Sequence, residues 1–206
     1  MRGNRFSRMR ILYAFCAAIL TAGALYPAVA TEHTAAAIEK PPAAAKAENR
    51  LDALFGELKR ERNEKAAERI AGRIWETWSQ SGSASIDLMM GWSKTAMDNK
   101  KFDVALDFLD QVVTMEPTYA EGWNRRATVH FMMQNYAKSM SDINHTLQIE
   151  PRHFGALSGM GQIMRNTGRE ELALQAWERV LDIYPMMRSA QNEVATLSEE
   201  LAGEGI

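Results

Sequence analysis

Residues 120–151 read AEGWNRRATVHFMMQNYAKSMSDINHTLQIEP: a tryptophan-bearing apolar stripe, a short polar turn, a second amphipathic stretch and a closing proline. Sliding that window until Pro151 falls on Pro117 or on Pro185 returns the same skeleton, so the three prolines end successive units of equal length, 86–117, 120–151 and 154–185. Apolar residues at spacings of three and four on both sides of the turn predict a pair of helices in each unit. Proline closes the second helix because it lacks an amide donor and pushes the residue before it, Glu116, Glu150 or Tyr184, out of the helical region.

The spacing carries a second regularity. Small residues recur at positions 8 and 20 of each unit (Ser93 and Ala105, Ala127 and Ser139, Gly161 and Ala173), and bulky ones at positions 4 and 24 (Met89 and Leu109, Trp123 and Ile143, Leu157 and Trp177). Small pairs let two helices approach closely, and the bulky residues fill the gap to the next unit. With proline at position 32, this pattern resembles the tetratricopeptide repeat, a 34-residue helix-turn-helix unit. The resemblance implies an all-α fold, a right-handed α-solenoid. Departures from the family pattern are Val112, Thr146 and Val180 where alanine is usual, and Arg126 where leucine is common.

Working outward, residues 51–85 hold two amphipathic stripes, one of Leu51, Leu54, Phe55 and Leu58, the other of Ala67, Ile70, Ala71, Ile74, Trp75 and Trp78, and stop at Ser81-Gly82-Ser83. They lack the repeat signature and are expected to form a degenerate hairpin closing one end of the stack. After Pro185 a stripe of Met187, Ala190, Val194, Leu197 and Leu201 predicts a capping helix within 186–206 over the third unit.

The stretch 1–30 has a different character. Positions 1–10 are basic, 11–26 are almost wholly apolar, and Pro27 is followed by Ala28-Val29-Ala30. This is the form of a secretory signal cut after Ala30, giving a periplasmic protein that meets the membrane only in transit. The competing reading is an uncleaved anchor, since 11–29 just reaches the length that spans a bilayer. Cleavage removes Cys16, the single cysteine, so disulfides and thiolate chemistry are excluded from the mature chain. Residues 31–50 are Ala-, Glu-, Lys- and Pro-rich with one isolated Ile38, and are expected to be a flexible tether.

Composition narrows the function. The 206 residues are 46% apolar and 24% charged, as in one folded domain. Loss of four leader arginines takes the formal charge from −2 to −6, which argues against nucleic acid. His130 is expected in the core, and His145 and His153 share no helical face, so no metal site is expected. Glu170-Glu171 and Glu199-Glu200 lie on polar helix faces, and no nucleophile motif or phosphate loop occurs. A non-catalytic protein without a cofactor is expected.

The resemblance implies that positions 2, 5, 9, 12 and 13 of each unit line a concave groove. These are Asp87, Met90, Lys94, Met97 and Asp98; Glu121, Asn124, Thr128, Phe131 and Met132; and Gly155, Ser158, Gln162, Arg165 and Asn166. Methionines and Phe131 would form an adaptable floor, while Lys94, Asn124, Arg125, Gln162 and Arg165 would hold the backbone or acidic groups of an extended peptide. Family members that capture an acidic chain terminus use lysines, an arginine and asparagines at places occupied here by Met90, Lys94, Arg125, Gly155 and Gly159, so no such clamp is expected. The reading that emerges is an interaction scaffold holding a segment of another envelope protein. The alternatives are a membrane-anchored spacer or an enzyme's accessory subunit.

Overall fold

A computed structural model describes residues 42–203, with side chains from Glu48 onward; the leader and the first part of the tether lie outside the described residues. Among the described residues the chain is helical throughout, with no strand: α1 (Pro42–Arg60), α2 (Glu64–Trp78), α3 (Ala84–Asp98), α4 (Phe102–Met115), α5 (Ala120–Met132), α6 (Tyr136–Ile149), α7 (Phe154–Asn166), α8 (Glu170–Ile183) and α9 (Arg188–Gly203). Helices α3 to α8 pair as the three repeat units.

The first departure from the sequence reading is α1. It begins at Pro42, inside the expected tether, so 42–50 is helix. Alanine, glutamate and lysine are strong helix formers, and proline at the first helical position has no bond to lose.

Each repeat is built by the same two devices. The small residues at positions 8 and 20 are all buried, and the Ser139 hydroxyl donates to the Ala127 carbonyl at 2.8 Å, tying α6 to α5. The turn between paired helices is a Schellman closure repeated three times. Lys101, Asn135 and Arg169 amides reach back to the Ala96, His130 and Met164 carbonyls, while Lys100, Gln134 and Gly168 amides bond Met97, Phe131 and Arg165. The residue at the bend is left-handed every time, with φ of 57° at Lys100, 59° at Gln134 and 66° at Gly168. Only the third unit places glycine there, where the conformation is unstrained.

Helix α9 begins at Arg188, one full repeat length beyond the start of α7 at Phe154, and occupies the place a fourth unit's first helix would take. Its Ala190 and Leu197 are buried against the third unit.

The N-terminal hairpin, expected to close one end of the stack, packs on the third repeat. Leu54, Phe55, Leu58, Ile74 and Trp78 share one core with Phe154, Leu157, Trp177, Tyr184 and Leu197. The seat lies along the edge where α7 begins and α8 ends. There the Arg152 guanidinium bonds Asp52 at 2.6 Å and lies 4.2 Å over the Phe55 ring, and Arg188 bonds Glu64 at 2.7 Å.

The reason is local. Gly155 fills the position held by Asp87 and Glu121 in the other units, and the Trp75 indole occupies the space of its missing side chain: a Cβ there would lie 2.7 Å from the ring. Trp78 stacks on His153 at 4.0 Å with planes 8° apart, and Phe154 packs edge-on against Trp75. Neither Asp87 nor Glu121 leaves room for an indole.

Candidate peptide groove

The resemblance puts α3, α5 and α7 on the inner side of the repeats, and the residues predicted there divide into three groups. Asn124, Thr128 and Phe131 border a hollow of about 130 Å³ between α5 and α7, completed by Ala127, Ser139, Ile143, Gly155, Ala156 and Gly159. Gly159 leaves the hollow open on α7, because it carries no side chain there, while the space beside Gly155 is taken by Trp75. Phe131 forms one wall and is braced by Tyr136, with ring centroids 5.8 Å apart.

A second group is present but already engaged. Lys94 pairs with Asp98 at 2.7 Å, Gln162 donates to Asn166 at 3.0 Å, and the Ser158 hydroxyl donates to the Phe154 carbonyl. Arg165 reaches away from the groove to Glu193 and Glu200 on α9, so the cap holds the cation that the sequence offered to a ligand. Arg125 bonds Glu121 at 2.8 Å and the Met90 carbonyl at 3.3 Å, linking the first and second units. The ties within one helix follow from its geometry, which puts opposite charges at i and i+4 within reach.

The third group is set by burial. Met90 is buried and Met97 half-buried in the core of the first unit, whereas Met132 stands exposed beside the turn. Glu121, expected on the groove surface, sinks beneath it and accepts at 2.9 Å from the amide of Asn124, which is itself largely buried at the hollow's edge.

Glu121 is the centre of a polar cluster that sequence reasoning missed. Fully buried His153 caps α7: its Nδ1 accepts the Ala156 amide at 3.1 Å, and its Nε2 lies 3.4 Å from the Glu121 carboxylate. Burial alone would raise the Glu121 carboxyl, but His153, the Arg125 charge and Asn124 outweigh it and hold the group below its usual range. The cluster joins the starts of α5 and α7 under the groove floor, and Trp78 covers it from outside. A signal was available in the sequence: histidine just before the third unit stands where tyrosine (Tyr119) precedes the second.

Elsewhere the histidines take ordinary packing roles. His130 is buried as expected, and burial pushes its pKa down despite Asp142 at 4.0 Å. His145 stacks on Trp123 at 4.3 Å. Arg126, the departure at position 7, forks onto buried Asp142 at 2.7 and 2.8 Å and reaches Asp110 of the preceding unit at 2.9 Å, replacing an apolar inter-repeat contact by an ionic one. Among the described residues no three metal-ligating side chains converge.

A TPR repeat-containing protein of Rhizobium etli is 53% identical over 178 residues, which span 86% of this chain and 87% of that protein. The chain belongs to the tetratricopeptide-repeat (TPR) family. No family model matches it. The TPR similarity extends to small glutamine-rich tetratricopeptide repeat-containing protein 2 of Saccharomyces cerevisiae, 31% identical over 117 residues, 57% of this chain and 34% of that protein. Solved TPR structures share the fold. The first TPR domain of Spaghetti (RPAP3), determined with an HSP90 peptide, SRMEEVD, superposes with a TM-score of 0.56 at 24% identity over 58% of this chain and 95% of that one. MamA superposes with a TM-score of 0.54 at 18% identity over 67% and 81%. TPR proteins act as scaffolds for protein–protein interaction.

Proposed function

We propose that this chain is a non-catalytic adaptor of the bacterial cell envelope whose groove holds an extended segment of a partner protein. The observation that carries the reading is the hollow between α5 and α7, an apolar recess edged by Asn124 and Thr128 on the inner face of the array. An extended chain running across the TPR first helices would place a small apolar side chain there. The acidic-terminus mode is disfavoured, because Arg125 is held by Glu121, Gly155 is covered by Trp75, and Met90 is buried. The partner segment is therefore internal to its chain.

The envelope assignment rests on the basic, apolar and small-residue succession of 1–30, read as a cleaved leader. Intact mass of the exported protein tests it. A chain starting at Thr31 is free in the periplasm, and one retaining 11–29 is an anchored spacer instead.

The groove is tested by placing a photo-crosslinking residue at Thr128 and identifying what it captures in an intact envelope. A Gly159→Met variant, which fills the recess, should abolish the crosslinked species. Crosslinks that survive the filled recess would remove the groove from the mechanism.

A further inference from the structure

With the hairpin on the third repeat, nothing among the described residues packs over the opposite end of the array. In the second and third units, positions 3 and 7 pack toward the unit before: Gly122 lies against Val112, Arg126 reaches Asp110, and Ala156 and Met160 join Ala127 and Ile143. The same positions in the first unit are Leu88 and Trp92, 52% and 48% exposed, and no described helix covers them. Trp92 leans on Phe108, with centroids 5.4 Å apart, and the two rings with Thr95, Asn99, Lys101 and Val104 border an open hollow of about 360 Å³. This face continues the inter-repeat interfaces outward without a unit to meet it.

We infer that the outer face of α3 and α4 pairs with the same face of a second copy of this chain. Head-to-tail stacking has no landing place, since α9 already covers the far end of the array with Ala190 and Leu197. What remains is a two-fold contact, in which whatever residue i gives to j, j returns to i. The face has that self-complementarity. Leu88, Thr95 and Asn99 lie on one stripe of α3, because seven and eleven residues are close to whole numbers of turns, so the Leu88 knob sits about 10 Å from the hollow at Thr95. A two-fold axis near Trp92 places each Leu88 in the other copy's hollow.

The charges agree with the shape. Exposed Asp87, whose Oδ1 accepts from the Ser81 hydroxyl at 2.6 Å and amide at 3.0 Å, flanks the knob, and Lys101, which has no ion-pair partner among the described residues, flanks the hollow, so the same axis brings each Lys101 toward the other copy's Asp87. Gly91, beside Trp92, has open space around it and allows the two α3 helices to approach closely. The hollow between α5 and α7 is a different site from this face, although Asp87 on α3 is also a predicted groove position.

Sedimentation equilibrium of the full chain, isolated from an exporting host at up to about 100 µM, reads the outcome directly, since a micromolar dimer is then well populated. The wild type should be dimeric. Leu88→Glu removes two apolar knobs per dimer and should weaken association by at least about 100-fold. Leu172→Glu, an equally exposed leucine on α8, should leave it unchanged. Lys101→Glu should weaken it by about tenfold, and D87K/K101E should restore it.

A monomeric wild type overturns the inference and leaves the face to the chain's own segment 1–41 or to a foreign helix. So does an open-ended polymer, a dimer indifferent to Leu88→Glu, or one lost equally in Leu172→Glu. Far-UV circular dichroism of each variant separates lost pairing from lost folding.

Discussion

Gly155→Ala is the smallest perturbation that questions where the N-terminal hairpin sits. The added methyl would lie 2.7 Å from the Trp75 ring, about 1 Å inside ordinary contact, and the indole is boxed by Trp78 at 5.2 Å, His153 at 5.4 Å and Phe154 at 5.6 Å between centroids. A rigid ring so enclosed moves only with its helix. Overpacking of this kind costs about 1–3 kcal/mol, while alanine for glycine in a helix returns about 1 kcal/mol. Gly72→Ala, on α2 with nothing within 4 Å, measures the second effect alone and should stabilise by about 0.5–1 kcal/mol.

Urea midpoints followed by circular dichroism should therefore separate the two variants by about 1–3 kcal/mol. In a Trp75→Ala background the clash has no partner, and Gly155→Ala should turn stabilising, so the double-mutant cycle should show strong coupling. If Gly155→Ala stabilises the unaltered chain as much as Gly72→Ala does, the indole is not seated on α7 and the hairpin lies elsewhere.

Other consequences are open to direct measurement. Gln134→Gly relieves a left-handed residue and should raise stability by about 0.5–1 kcal/mol in thermal melts, whereas Gly168→Ala should lower it by about 1 kcal/mol. Arg126→Met strands the buried Asp142 carboxylate and should cost about 3 kcal/mol, while R126M/D142L should return to within about 1 kcal/mol of the original chain. The pH dependence has two windows. His130 is depressed by burial below its ordinary value of 6.5, so the unfolded chain takes up a proton first and stability should fall as pH drops below 6.5; His130→Phe should flatten that window. Glu121 is depressed below 4.5, so its contribution is fully present above pH 4.5 and lost as pH falls through the folded value; Glu121→Gln should blunt that acid limb.

The repeats were legible because their determinants are periodic. Three prolines and three small pairs at one spacing each report a local steric need, and the structure places every small pair in the core. The apolar stripe of α9 was legible for the same reason. The hairpin's destination was not, since it depends on one glycine being absent side-chain volume rather than a motif. Gly155 gains meaning only beside Asp87 and Glu121, and only once Trp75 is known to reach it. The chemistry of the predicted groove residues was not legible: carboxylates at helical or cross-helix reach claim Arg165, Arg125 and Lys94. Nor does sequence announce the left-handed bends at Lys100 and Gln134, where repeat geometry overrides residue preference.

The ties from Asp52 to Arg152 and from Glu64 to Arg188 bridge 100 and 124 positions of the chain. A linear array of repeats can fray from either tip one module at a time, because each module knows only its neighbours. Here the earliest-made helices find their resting place only after the last module exists, so the ribosome must finish nearly the whole polypeptide before the clasp can shut. Such distant closure slows assembly and makes the hairpin, the third unit and α9 come apart together, leaving the first unit as the tip that can still peel.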